Sequence, residues 1–280
     1  MKAFLRKYQI FIFFALTFII SWYPWYTGGV GFKAAGPSYA GLIVVLVVSG
    51  WAGIKEMLRR LVKWRVGIFW WAVAFFAPLA ITLAAIGIHM LVGGQTPNFL
   101  IWKVEPLMVI PLMLILISPI GGAGGEEYFG WRGYAQPKLQ EKLGNWAPLF
   151  TSLIIGIVWA VWHLPEFYNP ASTQYAMGMV GFIPLLIMEV GNSIFMTWLY
   201  NNTGGSVLVA GVIWHLAIDT FSTTLLSDFT VSGMLAGENM QSVNMELITI
   251  LGLVMSASAI VLVVATKGRL GTSIKDGEER

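Results

Sequence analysis

The sequence predicts an all-α, polytopic membrane protein: a bundle of eight transmembrane helices. Three observations carry that prediction. Charged residues make up only 11% of the chain and hydrophobic residues 57%, with a mean hydropathy of +0.73, whereas a soluble domain runs at about 25% charged. Eight apolar runs are long enough to cross roughly 30 Å of hydrocarbon, which takes about 20 residues each. Basic residues fall on alternate connections between those runs. Together these exclude a soluble enzyme, a disordered chain and a nucleic-acid binder. The net charge of +3 reflects loop placement, not a polyanionic partner. The chain has no cysteine, which excludes thiol nucleophiles, disulfides, iron–sulfur clusters and cysteine-ligated zinc.

Taken in order, the expected spans are Ile10–Tyr26, Pro37–Ile54, Val66–Val92, Val104–Ile120, Ala147–Leu164, Gly178–Tyr200, Gly205–Thr224 and Glu246–Thr266. Lys2, Arg6 and Lys7 precede the first run, but no small-residue cleavage site follows it. Trp22, Trp25 and Tyr26 read as an interfacial belt, so the run is expected to be an uncleaved first span. Basic residues cluster before span one, between spans two and three (Lys55 to Arg65), between four and five (Arg132, Lys138, Lys142), and after span eight. Fifteen of the seventeen Lys and Arg residues lie there; only Lys33 and Lys103 fall in the alternate loops. With an even number of spans, the positive-inside rule places both termini in the cytoplasm. Lys33 and Gly237 then face outward. The chain is expected to be one membrane-embedded domain over 1–280, with its core over 36–224 and a polar tail over 267–280.

Ionisable groups at membrane depth are costly and need a reason. Those near or within the apolar runs are Glu126, Glu127, Arg132, His163, Glu189, His215 and Asp219, with His89 in span three. His215 and Asp219 are four apart and share a helix face, where the carboxylate can orient the imidazole. Trp159 and His163 share a face by the same spacing. Glu126 and Glu127 follow Gly121-Gly-Ala-Gly-Gly125, a run that permits close backbone approach or a break. Two adjacent carboxylates repel unless one is paired or protonated, and Arg132 is the natural partner. His89 alone reads as an interfacial or hydrogen-bonded residue, and Glu189 with Asn192 as a structural or substrate-path pair.

The segment Glu126-Glu-Tyr-Phe-Gly-Trp-Arg132-Gly-Tyr, with Trp159-x-x-x-His163 and His215-x-x-x-Asp219, resembles the three motifs of the CPBP intramembrane proteases. That family includes the type II CAAX prenyl endopeptidases, the abortive-infection proteins, and bacteriocin-processing or self-immunity proteins. Gly36-Pro-Ser, the Arg59–Arg65 loop and Gly204-Gly-Ser-Val extend the resemblance over most of Gly36 to Thr220. The resemblance implies an intramembrane endopeptidase acting on a membrane-associated protein or peptide, in a prokaryotic cell membrane. Glu126 or Glu127 with His163 would activate water. His215 with Asp219 would stabilise the oxyanion or orient the scissile carbonyl, and Arg132 would hold the second carboxylate. If zinc takes part, His163, His215 and Glu127 are its expected ligands. The alternatives from other classes are a non-proteolytic immunity or scaffold protein, and a proton- or metal-coupled transporter.

One feature departs from the family pattern: four residues, not three, separate Glu127 from Arg132. A regular helix puts these two about 140° apart. In that case Tyr128 takes the place of the second carboxylate and Glu127 is the base, with Glu126 dispensable; this is the register expected. A π-bulge would instead restore the face and pair Arg132 with Glu127. Depth sets a further condition. For the two glutamates, His163 and His215 to meet, the glycine-rich segment must dip into the bilayer, with Pro119 and the glycines as the breaking point, or span five must tilt steeply.

Overall fold

The computed structural model describes residues 2–143, 146–226, 230–236 and 244–271. It contains eight helical segments long and apolar enough to cross a membrane, at Phe4–Ser21, Gly36–Leu61, Ile68–Leu91, Pro106–Gln140, Ala147–Tyr168, Met179–Asn202, Leu208–Leu226 and Met245–Ala265. No strand occurs among the described residues. Helix is the expected outcome for such runs, because in hydrocarbon every backbone N–H and C=O must find its partner within the chain. Leu46, Trp51, Ile68, Phe76 and Val261 point outward from the bundle, as lipid-facing side chains should. Gly237 and most of the polar tail lie outside the described residues.

The seventh span is the hub, with 67% of an 18-residue apolar stretch buried against 22–50% of the corresponding stretches in the others. It packs on the third and fourth spans, the sixth lies between the fifth and the eighth, and the first lies against the second. Contacts between connections define two ends. At one end Lys63 donates to Gly204 O (2.7 Å), Asn201 donates to Leu270 O (3.0 Å), and Lys142 donates to Lys7 O (3.2 Å). At the other, Ser232 donates its hydroxyl to Glu105 (2.6 Å), and Gly31 lies beside Glu166 and Asn169. The Ser232 hydrogen bonds hold the Glu105 carboxyl below its ordinary pKa. This pairing of loops is what eight alternating spans require.

Several boundaries differ from the sequence reading: the first helix already starts at Lys2, the second runs on to Leu61 where Ile54 was expected, and two further differences bear on the site. The first helix ends at Ser21, and Tyr23–Tyr26 forms a separate turn; Trp22 leaves the helix axis to donate to Trp162 O at 2.9 Å. The fourth span does not stop at Ile120. It runs as a broken helix to Gln140, and 35 residues of unbroken helix would be about 52 Å long, far more than one crossing. Val109–Ile117 ends where Ser118 turns extended (ψ 157°), and a second short helix covers Gly122–Glu127. Pro119 and the glycines lie at this break, as expected. The Glu pair therefore sits in mid-segment and not near the end of a crossing. Arg132, counted above with the basic loop, is instead fully buried in the bundle.

Candidate active site

The site is assembled around the breaks in spans four and seven. After Glu127 the helix leaves regular geometry, with Gly130 at φ −98°, ψ −106°, and a π-helical turn covers Trp131–Ala135. Within it Ala135 N–H donates to Gly130 O, five residues back, at 3.0 Å. The regular-helix register expected from sequence is thus not the one adopted. The amide of Arg132 instead donates to the Glu127 carboxylate at 3.2 Å, with the guanidinium Nε 4.0 Å from the same oxygen. Tyr128 does not replace a carboxylate. Its hydroxyl donates to Ile117 O, a carbonyl at the end of the preceding half-helix, and so ties the two halves of the break together.

Span seven carries the matching irregularity, a π-helical turn at Leu208–Ile213 that delivers His215 at the start of the helix Trp214–Leu226. π-turns of this kind recur at functional sites because they re-aim one side chain without ending the helix. Glycine makes the approach of the two breaks possible. A Cβ on Gly211 would meet Glu127 Oε2, Glu127 Cβ and Arg132 Cγ, each at 3.2 Å.

The adjacent glutamates face different surroundings. Glu127 is fully buried among Arg132 and His215, its Oε1 3.7 Å from His215 Nδ1. Glu126 turns the other way: one oxygen accepts from Trp131 Nε1 at 3.1 Å, and its side chain lines a cavity of about 270 Å³. His163, His215, Asp219 and Glu189 line the same cavity. His215 Nε2 stands 3.3 Å from Asp219 Oδ2. His163 Nδ1 donates to Trp159 O at 3.0 Å; since a carbonyl only accepts, this bond leaves the Nε2 lone pair available. Trp159 packs its ring edge-to-face with His215 (5.0 Å) and lies 5.8 Å from the Arg132 guanidinium, so the tryptophan of the second motif braces the third.

Gly122 marks the point where the groups converge. The position its Cβ would occupy is 3.3 Å from Asp219 Oδ2, 3.6 Å from Glu126 Oε1 and 3.7 Å from His215 Nε2. A hydrogen there keeps that space open for a small molecule.

All six residues singled out from sequence gather at this centre. Glu126, His163, His215 and Asp219 reach the cavity, while Glu127 and Arg132 stand behind it. Glu189, weighed in the sequence as a structural or substrate-path residue, also reaches the cavity; its hydrogen-bond partner there is Asn192, at 3.5 Å. Its burial in a span was the available signal, but no motif covers it. The zinc set His163, His215 and Glu127 does not fit a metal ion. Among the described residues no three His, Asp or Glu side chains are arranged to hold one, and Glu127 lies between Arg132 and His215 Nδ1, outside the cavity lining that His163 and His215 share.

Residues 106–221, which hold all of these groups, match the family model of the type II CAAX prenyl endopeptidase Rce1-like proteins. The chain is similar to the CAAX prenyl endopeptidases. It is 24% identical over 241 residues to CAAX prenyl protease 2 of Methanococcus maripaludis, an alignment covering 76% of this chain and 83% of that protein. The Rce1-like segment coincides with the broken fourth span, the fifth and sixth spans, and the seventh as far as Phe221, which are the elements that bring the carboxylates and histidines together.

Proposed function

We propose that the chain is an intramembrane endopeptidase, cleaving a membrane-associated protein or peptide with a water molecule activated by Glu126 and His163. The observation that carries this reading is the convergence of Glu126, His163, His215 and Asp219 on one cavity inside the helical bundle. Such groups are expensive in hydrocarbon, and a shared wet cavity is the usual setting in which they are kept. Similarity to a CAAX prenyl protease points to the same reaction class.

In this reading Glu126 is the base, in place of the Glu127 expected from a regular helix, because Glu126 faces the cavity while Glu127 is engaged by Arg132 and His215. Water near Gly122 gives a proton to Glu126 Oε1, and its oxygen bonds the scissile carbonyl carbon. The His163 Nε2 lone pair accepts the remaining O–H and aligns the attack. His215, with Nδ1 facing Glu127, shares its one Nε2–H between Asp219 and the carbonyl oxygen and so polarises the carbonyl. When the tetrahedral adduct collapses, Glu126 returns its proton to the amide nitrogen, the C–N bond breaks, the amine leaves and a carboxyl group remains. Arg132 compensates the buried Glu127, which fixes His215 from behind. The membrane is a prokaryotic cell membrane, and both termini are cytoplasmic.

The test is cleavage of a membrane-tethered peptide library by purified wild type, Glu126→Gln and His163→Ala, with folding followed by thermal unfolding in detergent. Folded variants that no longer release product support the proposal. Folded variants that cleave at the wild-type rate overturn it.

A further inference from the structure

The register of the fourth span is decided at residues 128–130, where the helix Gly122–Glu127 has stopped and the π-turn at Trp131–Ala135 has not begun. A break of this kind takes backbone N–H groups away from their acceptors four residues back, and a buried N–H left unbonded is costly. In an unbroken helix Phe129 N–H would bond Gly125 O. Here it donates to the hydroxyl of Ser38 at 3.1 Å, 91 positions earlier in the chain. Ser38 lies in the first turn of span two and is 5% exposed. Its neighbours are shaped for the same contact. A Cβ on Gly41 would overlap Phe129 O, and a Cβ on Gly130 would stand 2.5 Å from Pro37 Cβ. Pro37, Ser38 and Gly41 thus pack on the break together, and of the three only Ser38 has a side-chain acceptor.

We propose that Ser38 is a positioning residue for the reaction: its hydroxyl holds the break in the register that turns Glu126 to the cavity. Ser38 does not line the cavity itself and acts through the backbone of Phe129. With alanine in its place, Phe129 N–H loses its acceptor, and the one that a helix offers is Gly125 O. Reaching it winds the segment toward a regular helix, in which successive residues are about 100° apart and Glu126 leaves the cavity wall. Threonine keeps the oxygen and therefore the register. The hold on Glu126 stands on geometry alone; its effect on turnover also rests on the hydrolytic reading proposed above.

The chain has no cysteine, so Glu126→Cys reports the register directly and without any need for activity. A small methanethiosulfonate reagent should modify that thiol in the cavity. Adding Ser38→Ala should slow the modification about tenfold, the effect of one buried N–H left unbonded, whereas adding Ser38→Thr should not. Kinetics on the library peptide that wild type cleaves fastest give the second readout. With Glu126 intact, Ser38→Ala should lower kcat about tenfold and leave KM nearly unchanged, with recovery in Ser38→Thr. Thermal unfolding in detergent checks that each variant folds. Slower modification together with lower kcat supports the proposal. Modification at the wild-type rate in folded Ser38→Ala overturns it, as does slower modification at unchanged kcat, or an equal loss in folded Ser38→Thr. A Ser38→Ala protein that no longer folds also overturns it, because Ser38 would then be structural. Slower modification in a protein whose wild type cleaves no peptide supports the hold on Glu126 and overturns the hydrolytic reading.

Discussion

Two buried histidines in this bundle each have a carboxylate beside them, and they sit in very different company. His89, 1% exposed, lies 3.5 Å from Glu246 and 3.4 Å from Asn244, tying span three to the start of span eight. Its carboxylate is half in solvent, with a side chain 58% exposed. The small cavity next to it is lined by Gln95, Thr96, Pro97, Asn98, Asn244 and hydrophobic residues, none of them ionisable. His215 has a carboxylate near each ring nitrogen, at 3.7 and 3.3 Å, and shares its cavity with a second histidine and two further glutamates. A buried His–carboxylate pair is therefore sufficient to join two helices. Chemistry needs more: a second carboxylate that is not consumed by the first pair, and space to hold a reactant between them.

The sharpest way to break this contrast is to remove the spare carboxylate. Glu126→Gln should lower cleavage by about 10²–10⁴-fold, the usual worth of a general base, with the melting temperature in detergent close to that of the wild type. Activity of that variant near the wild-type level would remove the distinction between the two centres. Glu127→Gln should act differently. It leaves Arg132 buried without its counter-charge, a change that costs about 3–5 kcal/mol, so thermal unfolding should fall markedly and activity should fall with it. A Glu127→Gln protein that melts normally yet is inert would make Glu127 the base and restore the register read from sequence.

Gly122→Ala tests the space itself. Its methyl group would stand 3.3–3.7 Å from three polar atoms, close to ordinary contact and inside the position assigned to water. The expected result is a loss of about tenfold in turnover, equivalent to roughly 1.4 kcal/mol, with stability nearly unchanged; full activity would move the water elsewhere. The smallest effect belongs to the other centre. His89→Leu should cost on the order of 1 kcal/mol of stability, the net worth of an ordinary hydrogen bond, and leave cleavage at the wild-type rate. Loss of cleavage without loss of stability in His89→Leu would show that the joint between spans three and eight is part of the catalytic apparatus.

Much of this was legible in the chain because membrane insertion imposes one-dimensional rules. Apolar run length gave eight spans, and the cost of burying Glu126, His163, His215 and Asp219 singled them out as candidates, which the structure brings to one cavity. Glu189 was harder to place. Alone in an apolar run beside Asn192, it carries no local signal to separate a hydrogen-bonding residue from one that faces a cavity.

The sequence by itself determined the fold class and the number of candidate spans, and it picked out residues that the bundle brings together, since hydropathy, charge placement and spacing depend on the chain alone. Only the tertiary structure decided which glutamate faces the cavity. A helix of period 3.6 allows one register for Glu127 and Arg132, whereas the break at Tyr128–Gly130 and the π-turn after it allow another. What selects the second is not local. Span two approaches so closely that a Cβ on Gly41 would overlap Phe129 O, Arg132 N–H finds the Glu127 carboxylate, and Gly211 admits both residues against span seven. Packing among three segments far apart in the chain fixed the register, and with it which of two adjacent carboxylates lines the cavity.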